Sequence, residues 1–208
     1  MSGPDNFVLR STVTSPFGRK VRMAIDVLEL GDRIKVEPAD PLDENDTLRR
    51  QNPLGKMPCL VLADGSTIYD SGIIIEYLQD VAGTDRLLPL KGRGRYRALT
   101  LARLADGIMD ASILVIYENR FRPDAATHSP RWLAHQRGKI TRGLTVFEKA
   151  PPDPKNSNVV TIGLSCALGY LDWRKQVDWR PAYPSLVAWL TEFSRNEPAF
   201  ERTRAPDA

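Results

Sequence analysis

The spacing of apolar residues changes near residue 83, and this change constrains the fold more than any other feature of the chain. Before it, apolar runs are short and bounded by turn residues; after it, they recur at helical spacing over long stretches. Phe7–Leu9 reads as a short buried strand that ends at the polar run Ser11–Ser15. Pro16 suits a first helical turn, where its missing N–H costs nothing. Val21, Ala24, Ile25 and Leu28 follow at helical spacing, and Gly31 is expected to close that helix at the C′ position. Ile34–Glu37 reads as a second short strand. Strand, helix and strand within about 30 residues make a βαβ unit, hence parallel strands joined by a right-handed crossover.

The segment 37–53 is polar and contains prolines, so it is expected to be a poorly ordered connection with at most one short helix near 42–51. Beyond it, Cys59–Leu62 and Ser66–Tyr69 flank Asp64-Gly65, a strong hairpin signal. Ile74, Tyr77, Leu78 and Val81 return to helical spacing. From Arg93 the chain reads as helix to about Arg120, again from Trp132 to Phe147, and again from Pro184 to Phe193. Between the last two, 158–173 is apolar nearly all round, which places it at the core of this part. The expected class is α/β plus all-α. Residues 1–83 form an N-terminal unit in the order βαβ, α, ββα; 84–92 are a linker; 93–208 form an all-helical unit.

With 42% hydrophobic and 26% charged residues over 208, the composition is that of an ordinary folded protein able to bury its own core. The net charge of +3 hints at nucleic acid, but it divides into −4 over residues 1–83 and +7 beyond. The excess is densest at Lys91, Arg93, Arg95 and Arg97, where Tyr96 is the only aromatic and no nucleic-acid motif accompanies it. That stretch is read as a solvated linker and helix start, so no nucleic-acid partner is expected. No apolar run approaches about 18 residues, so no membrane partner is expected. The first ten residues lack the basic and apolar regions of a signal peptide, and a cytoplasmic location is the default expectation. Cys59 and Cys166 read as small core residues, not as a disulfide or nucleophiles. Neither His128 nor His135 has a second ligand at metal spacing, so no metal is expected.

Three short motifs could carry chemistry. The run Ser11–Ser15, with only Val13 lacking a hydroxyl, stands at the mouth of the βαβ unit, where N–H groups and the helix dipole point outward. Ser15 is equally well placed as a plain helix N-cap. In Asn52–Pro58, Pro58 cannot donate to a sheet ladder and belongs at a strand start or in a cis turn. With a cis bond, the Met57 backbone could pair with an extended peptide ligand. Asp70-Ser71 lies between strand and helix, where a hydroxyl and free N–H groups suit a carboxylate and Asp70 an ammonium. One amino-acid head group carries both charges.

In order and spacing, Thr14–Arg22, Asn52–Pro58 and Asp70-Ser71 resemble the amino-terminal domain of the glutathione transferases. The resemblance continues through Gly163–Asp172, Tyr183–Trp189 and Pro198–Phe200, so it covers essentially the whole chain. It is closest to bacterial members, with an active-site segment similar to the plant tau class. The resemblance implies a thioredoxin-like first domain that binds glutathione as co-substrate, and an all-α domain that takes a small hydrophobic electrophile. It implies a homodimer active in detoxification by conjugation, or in peroxide reduction at the same site. Ser15 matches the catalytic serine of the Ser-Pro-Phe motif, with Phe17 beside it. Met57 matches the residue before the cis-proline, here Pro58, whose backbone pairs with the cysteinyl part of glutathione. Lys56 matches a residue that reaches the glycine carboxylate, and Asp70 and Ser71 match the pair that holds the γ-glutamyl head group. Serine at position 15, where some members carry cysteine, disfavours thiol exchange. The alternative reading is a non-catalytic member of the fold, a binding or regulatory module presenting 91–97.

Two departures bear on structure. The helix near 158 opens with Asn158-Val-Val-Thr161 instead of the family's Ser/Thr-x-x-Asp, and Thr161 has no carboxylate for the reciprocal bond, an expected loss of about 1 kcal/mol. Asp106 and Asp110, four apart, are read as a solvated helix face, with the electrophile site as the other possibility.

Overall fold

The computed structural model describes residues 6–206, which form two compact units: residues 6–90 together with 199–206, and residues 91–198. The first unit runs β1 (Phe7–Arg10), α1 (Pro16–Val27), β2 (Ile34–Glu37), α2 (Leu48–Gln51), β3 (Cys59–Val61), β4 (Thr67–Tyr69) and α3 (Ser71–Val81). The sheet order is β2-β1-β3-β4, with β1 and β2 parallel and β3 antiparallel to both of its neighbours. This is the thioredoxin-like arrangement. Leu9 and Leu60, register partners at its centre, are fully buried, as are Val21 and Ala24 of α1 and Ile74 and Leu78 of α3. Their helical spacing in sequence is what turns one face of each helix onto the sheet.

Helix α1 does not close on Gly31. Its C-cap is Leu28, and Glu29 takes the left-handed C′ conformation at φ 57°. The Glu29 N–H donates to Asp26 O (3.1 Å) and the Leu30 N–H to Ile25 O (3.0 Å), a Schellman pair with buried Leu30 as its apolar anchor. Helix α3 ends on the same motif with Gly83 in the left-handed position. Glu29 is exposed, so its side chain contributes little there while its Cβ resists the backbone. Glu29→Gly is therefore expected to raise stability, by up to about 1 kcal/mol in a denaturant titration. A fall would show that Glu29 holds a contact worth more than its backbone strain.

The connection expected to be poorly ordered is hydrogen-bonded throughout its middle. Arg10, buried at the end of β1, donates to Thr47 Oγ1 (2.6 Å), Gln51 Oε1 (2.9 Å), Pro38 O (3.0 Å) and Asp46 Oδ1 (2.8 Å). Asp46 also accepts from the Asp40 and Leu48 N–H groups. Burial alone would raise its carboxyl, but those N–H groups and Arg10 outweigh it and hold Asp46 below the usual carboxylate range.

The second unit contains α4 (Gly92–Phe121), α5 (Pro130–Lys149), α6 (Val159–Arg174) and α7 (Pro184–Asn196). Helix α4 packs on both α5 and α6. Every residue of α6 from Val159 to Leu168 is buried, which accounts for its lack of a polar face. Its start corrects the expected weakness. Asn158 Oδ1 accepts from the Val160 and Thr161 N–H groups, and the Asn158 N–H donates to Thr161 Oγ1 at 2.9 Å. A hydroxyl accepts the reciprocal bond as a carboxylate would, so the capping box is complete. Asp106 is likewise no solvated face: it is 7% exposed and paired with Arg103 at 2.9 Å, while Asp110 is exposed.

Segment 199–206, read above with the helical part, packs in the first unit. There α8 (Ala199–Arg202) lies against α1. The buried Arg19 guanidinium stacks 4.2 Å over the Phe200 ring and donates to Phe200 O (2.6 Å) and Thr203 Oγ1 (3.4 Å), and Arg202 pairs with Asp26 (3.0 Å).

Candidate functional site

Glu37, Arg10, Cys59 and Tyr69 are register partners in one row across the sheet. Because β3 runs against its neighbours, the chain leaves β1 after Arg10, joins β3 at Cys59 and leaves β4 after Tyr69, all at the same end. The register thus brings Ser15, Met57-Pro58 and Asp70-Ser71 to one edge from positions spread over more than 50 residues of sequence.

Ser15 is the N-cap of α1, in extended geometry, and its Oγ accepts the Gly18 N–H at 3.1 Å. The hydroxyl's own proton has no acceptor among the described residues. The half-buried Ser15 therefore keeps one O–H to donate, beside the positive end of a 12-residue helix. Thr14 is more exposed, and its Oγ1 is engaged with Thr12 Oγ1 at 2.7 Å. Phe17, in the first turn, lies under Lys20 Nζ at 5.7 Å from its ring centroid.

The turn has no room for a side chain at Gly18, where a Cβ would meet Ser11 Oγ at 2.0 Å and Ser15 Cβ at 3.3 Å. Ser11 is itself buried and cannot swing away freely. Gly18→Ala is expected to cost about 1–3 kcal/mol, read as a lowered denaturation midpoint. Adding Ser11→Ala removes the clashing oxygen and should restore most of that loss. A double variant no more stable than the single one would place the strain elsewhere.

The Met57–Pro58 bond is cis. The Met57 side chain packs against the buried cluster of Ala39, Leu48 and Cys59, while its backbone N–H and C=O lie outside the ladder with no backbone partner among the described residues. The loop is held by Asn52, fully enclosed, whose Nδ2 donates to Lys56 O (2.7 Å) and whose Oδ1 accepts the Leu54 N–H (3.1 Å). The Lys56 side chain is exposed. At β4's end, Asp70 has φ 71° and caps α3, its Oδ1 accepting the Gly72 (2.8 Å) and Ile73 (3.3 Å) N–H groups. Ser71 is buried, and its hydroxyl has no hydrogen-bond partner among the described residues.

The sequence profile of the glutathione S-transferase N-terminal domain matches residues 14–81. Over 205 residues the chain is 36% identical to the uncharacterized GST-like protein YibF of Escherichia coli K12, spanning 96% of this chain and 99% of that one. The chain belongs to the glutathione transferase family. A crystal structure of a glutathione transferase family member from Pseudomonas fluorescens Pf-5 with bound glutathione is 39% identical and superposes with a TM-score of 0.89, over 97% of this chain and 100% of that one. A glutathione S-transferase of Methylobacterium radiotolerans, in complex with glutathione sulfonate, is 32% identical with a TM-score of 0.86, over 98% and 96%.

Three supports of this candidate site were given no role from the sequence. Asn52 and Gly18 stand inside the motifs, and Arg10 ends β1 and ties down the segment that precedes Asn52. A signal existed for Arg10, a charged residue ending an apolar strand before the acid-rich segment 40–46. Cys59 and Cys166 are buried free thiols. Burial pushes the Cys59 thiol up against the pull of Arg10, which keeps it unreactive. Among the described residues no group of three or more His, Cys, Asp or Glu side chains could hold a metal ion, and no helix is long and apolar enough to cross a membrane.

Proposed function

We propose that this chain is a glutathione S-transferase in which Ser15 donates a hydrogen bond to the sulfur of bound glutathione and holds it as thiolate. The observation that carries this reading is the Ser15 hydroxyl, its acceptor side used by Gly18 and its proton uncommitted, at the N-terminus of α1. A free thiol has a pKa near 8.5, so only a few per cent is thiolate at neutral pH. Lowering it by about 2 units takes roughly 2.7 kcal/mol. One charge-assisted hydrogen bond of about 1.5–3 kcal/mol with a helix-dipole contribution of about 0.3–1 kcal/mol supplies that.

In this reading the glutathione backbone pairs with Met57 beside Pro58, Lys56 meets the glycine carboxylate, and Asp70 and Ser71 hold the γ-glutamyl ammonium and carboxylate. The thiolate then attacks a small hydrophobic electrophile or a hydroperoxide. The working unit is a cytoplasmic homodimer serving detoxification, with residues 1–83 as the glutathione domain and 93–208 as the electrophile domain. Calorimetric titration with glutathione, followed by turnover of 1-chloro-2,4-dinitrobenzene and of cumene hydroperoxide, tests it. Saturable binding with turnover of either substrate is the expected result. Absence of binding overturns the reading, and binding without turnover supports the non-catalytic module instead.

A further inference from the structure

Arg10 and Cys59 are register partners, so their side chains share one face of the first unit's sheet, while Leu9 and Leu60 share the other. On the Arg10 face lies α2, a helix of four residues that buries only Leu48, beside Ala39 and Cys59. So short a helix has no stability of its own, and so small an apolar anchor does little to hold the segment 38–51 in one place. The Arg10 guanidinium supplies the remainder. Its four hydrogen bonds, to Pro38 O, Asp46 Oδ1, Thr47 Oγ1 and Gln51 Oε1, reach that segment from its first residue to its last.

From Gln51 the restraint passes directly to the cis turn. Gln51 O accepts the Thr67 hydroxyl of β4 (2.8 Å), the Asn52 N–H donates to Leu48 O (2.7 Å), and Asn52 Nδ2 holds Lys56 O (2.7 Å). The Lys56 C=O and the Met57 N–H belong to one planar trans peptide unit. Whatever fixes the direction of that carbonyl therefore fixes the Met57 N–H, which points the opposite way. Arg10 and Asn52 are both buried, so the two anchors of this chain of contacts are enclosed.

We propose that Arg10 is a positioning residue for the glutathione site: by fastening segment 38–51, it holds the Met57 N–H and Lys56 in the arrangement that receives the cysteinyl-glycine half of the ligand. The inference rests on the transferase reading above and adds to it a residue outside all three motifs. A loop that holds its competent conformation only part of the time binds with its affinity reduced by that fraction. The planar fork is what matters here. Lysine keeps a cation beside Asp46, but its single nitrogen cannot span acceptors from Pro38 to Gln51. Ser15 takes its geometry from Gly18 on α1, so ionisation of the bound thiol is left to that helix. A merely structural Arg10 would weaken the first unit without distinguishing one half of the ligand from the other.

The test compares the full chain with its Arg10→Lys, Thr47→Val and Gln51→Leu variants, by calorimetric titration with glutathione and with γ-glutamylcysteine, which lacks the glycine. Thr47 is exposed and Gln51 half-buried, so those two variants keep the fold. Each loses one acceptor of Arg10 and is expected to bind glutathione about 2- to 10-fold more weakly, and Arg10→Lys at least about 10-fold. The preference for glutathione over γ-glutamylcysteine should shrink in all three. Where the chain turns over an aryl halide, KM for glutathione should rise by the same factors, with kcat at saturating glutathione within about twofold of the parent. Amide hydrogen exchange of the ligand-free protein should quicken over residues 48–57 and not in α1 or α3. Unchanged glutathione affinity in all three variants, or an equal loss for both ligands, overturns the proposal. So does a fall in kcat with KM unchanged, which would tie Arg10 to the thiol instead. A parent that fails to bind glutathione defeats the transferase reading, whereas a parent that binds, with variants that match it, defeats this inference alone.

Discussion

Ser15→Ala is expected to lower kcat/KM for conjugation of an aryl halide at neutral pH by about 10- to 150-fold, the kinetic equivalent of one charge-assisted hydrogen bond. Glutathione affinity should change far less, because Met57, Lys56, Asp70 and Ser71 carry the rest of the tripeptide in the proposed pose. The pH profile distinguishes this role from general damage. A depressed thiol pKa makes thiolate available above that lowered value; without the donor, the pKa returns toward about 8.5. Activity is therefore lost first at low pH and recovers as pH rises through the free-thiol range. The variant also loses the acceptor for the Gly18 N–H, which costs about 1 kcal/mol of stability on its own. Ser15→Gly separates the two effects, since glycine is tolerated at a helix N-cap at a cost of only a few tenths of a kcal/mol and has no donor side chain: stability should largely return and activity should not. Ser15→Thr should restore both in part. An unchanged rate and pH profile in Ser15→Ala would remove Ser15 from the role and transfer attention to Thr14.

The strands, helices and hairpin were legible because burial imposes a period on the residues that form them. Phe7–Arg10 and Pro16–Val27 follow such a pattern over consecutive positions, while Thr67–Tyr69, none of it buried, was marked by the Asp64-Gly65 turn before it. Once the two turns of the sheet order are known, the gathering of three motifs follows from register alone, so much of the candidate site was legible too. What escaped depends on contacts between distant positions or on equivalence between chemical groups. The Arg10 side chain joins residues 28 to 41 positions away, and no local pattern announces which polar groups it meets. Asp106 looked solvated because spacing shows which residues share a face, and not which face is covered. Glu29 replaced glycine at C′ because the Schellman bonds and buried Leu30 fix that backbone whichever side chain sits there. Thr161 closed the capping box because the reciprocal bond needs an acceptor oxygen, which a hydroxyl has.

Asp70 carries the other large expected effect, and it joins the two levels, for it is both a structural cap and the proposed acceptor of an ammonium. As a cap it accepts two N–H groups of α3 through one oxygen, at a backbone angle that few residues tolerate. A carboxylate has about four acceptor directions, so capping does not exhaust it. Asp70→Asn keeps the cap oxygen and a residue type tolerant of positive φ, and removes only the charge. Its stability should stay within about 0.5 kcal/mol of the parent, while glutathione affinity falls about 10-fold or more. Asp70→Ala loses cap and charge together, and should fall further in both. A third ligand separates the head group from the rest: des-amino glutathione lacks the ammonium, so the parent and Asp70→Asn should bind it almost equally. If Asp70→Asn instead weakens both ligands by the same factor, the carboxylate positions the start of α3 and the γ-glutamyl ammonium is held by another residue.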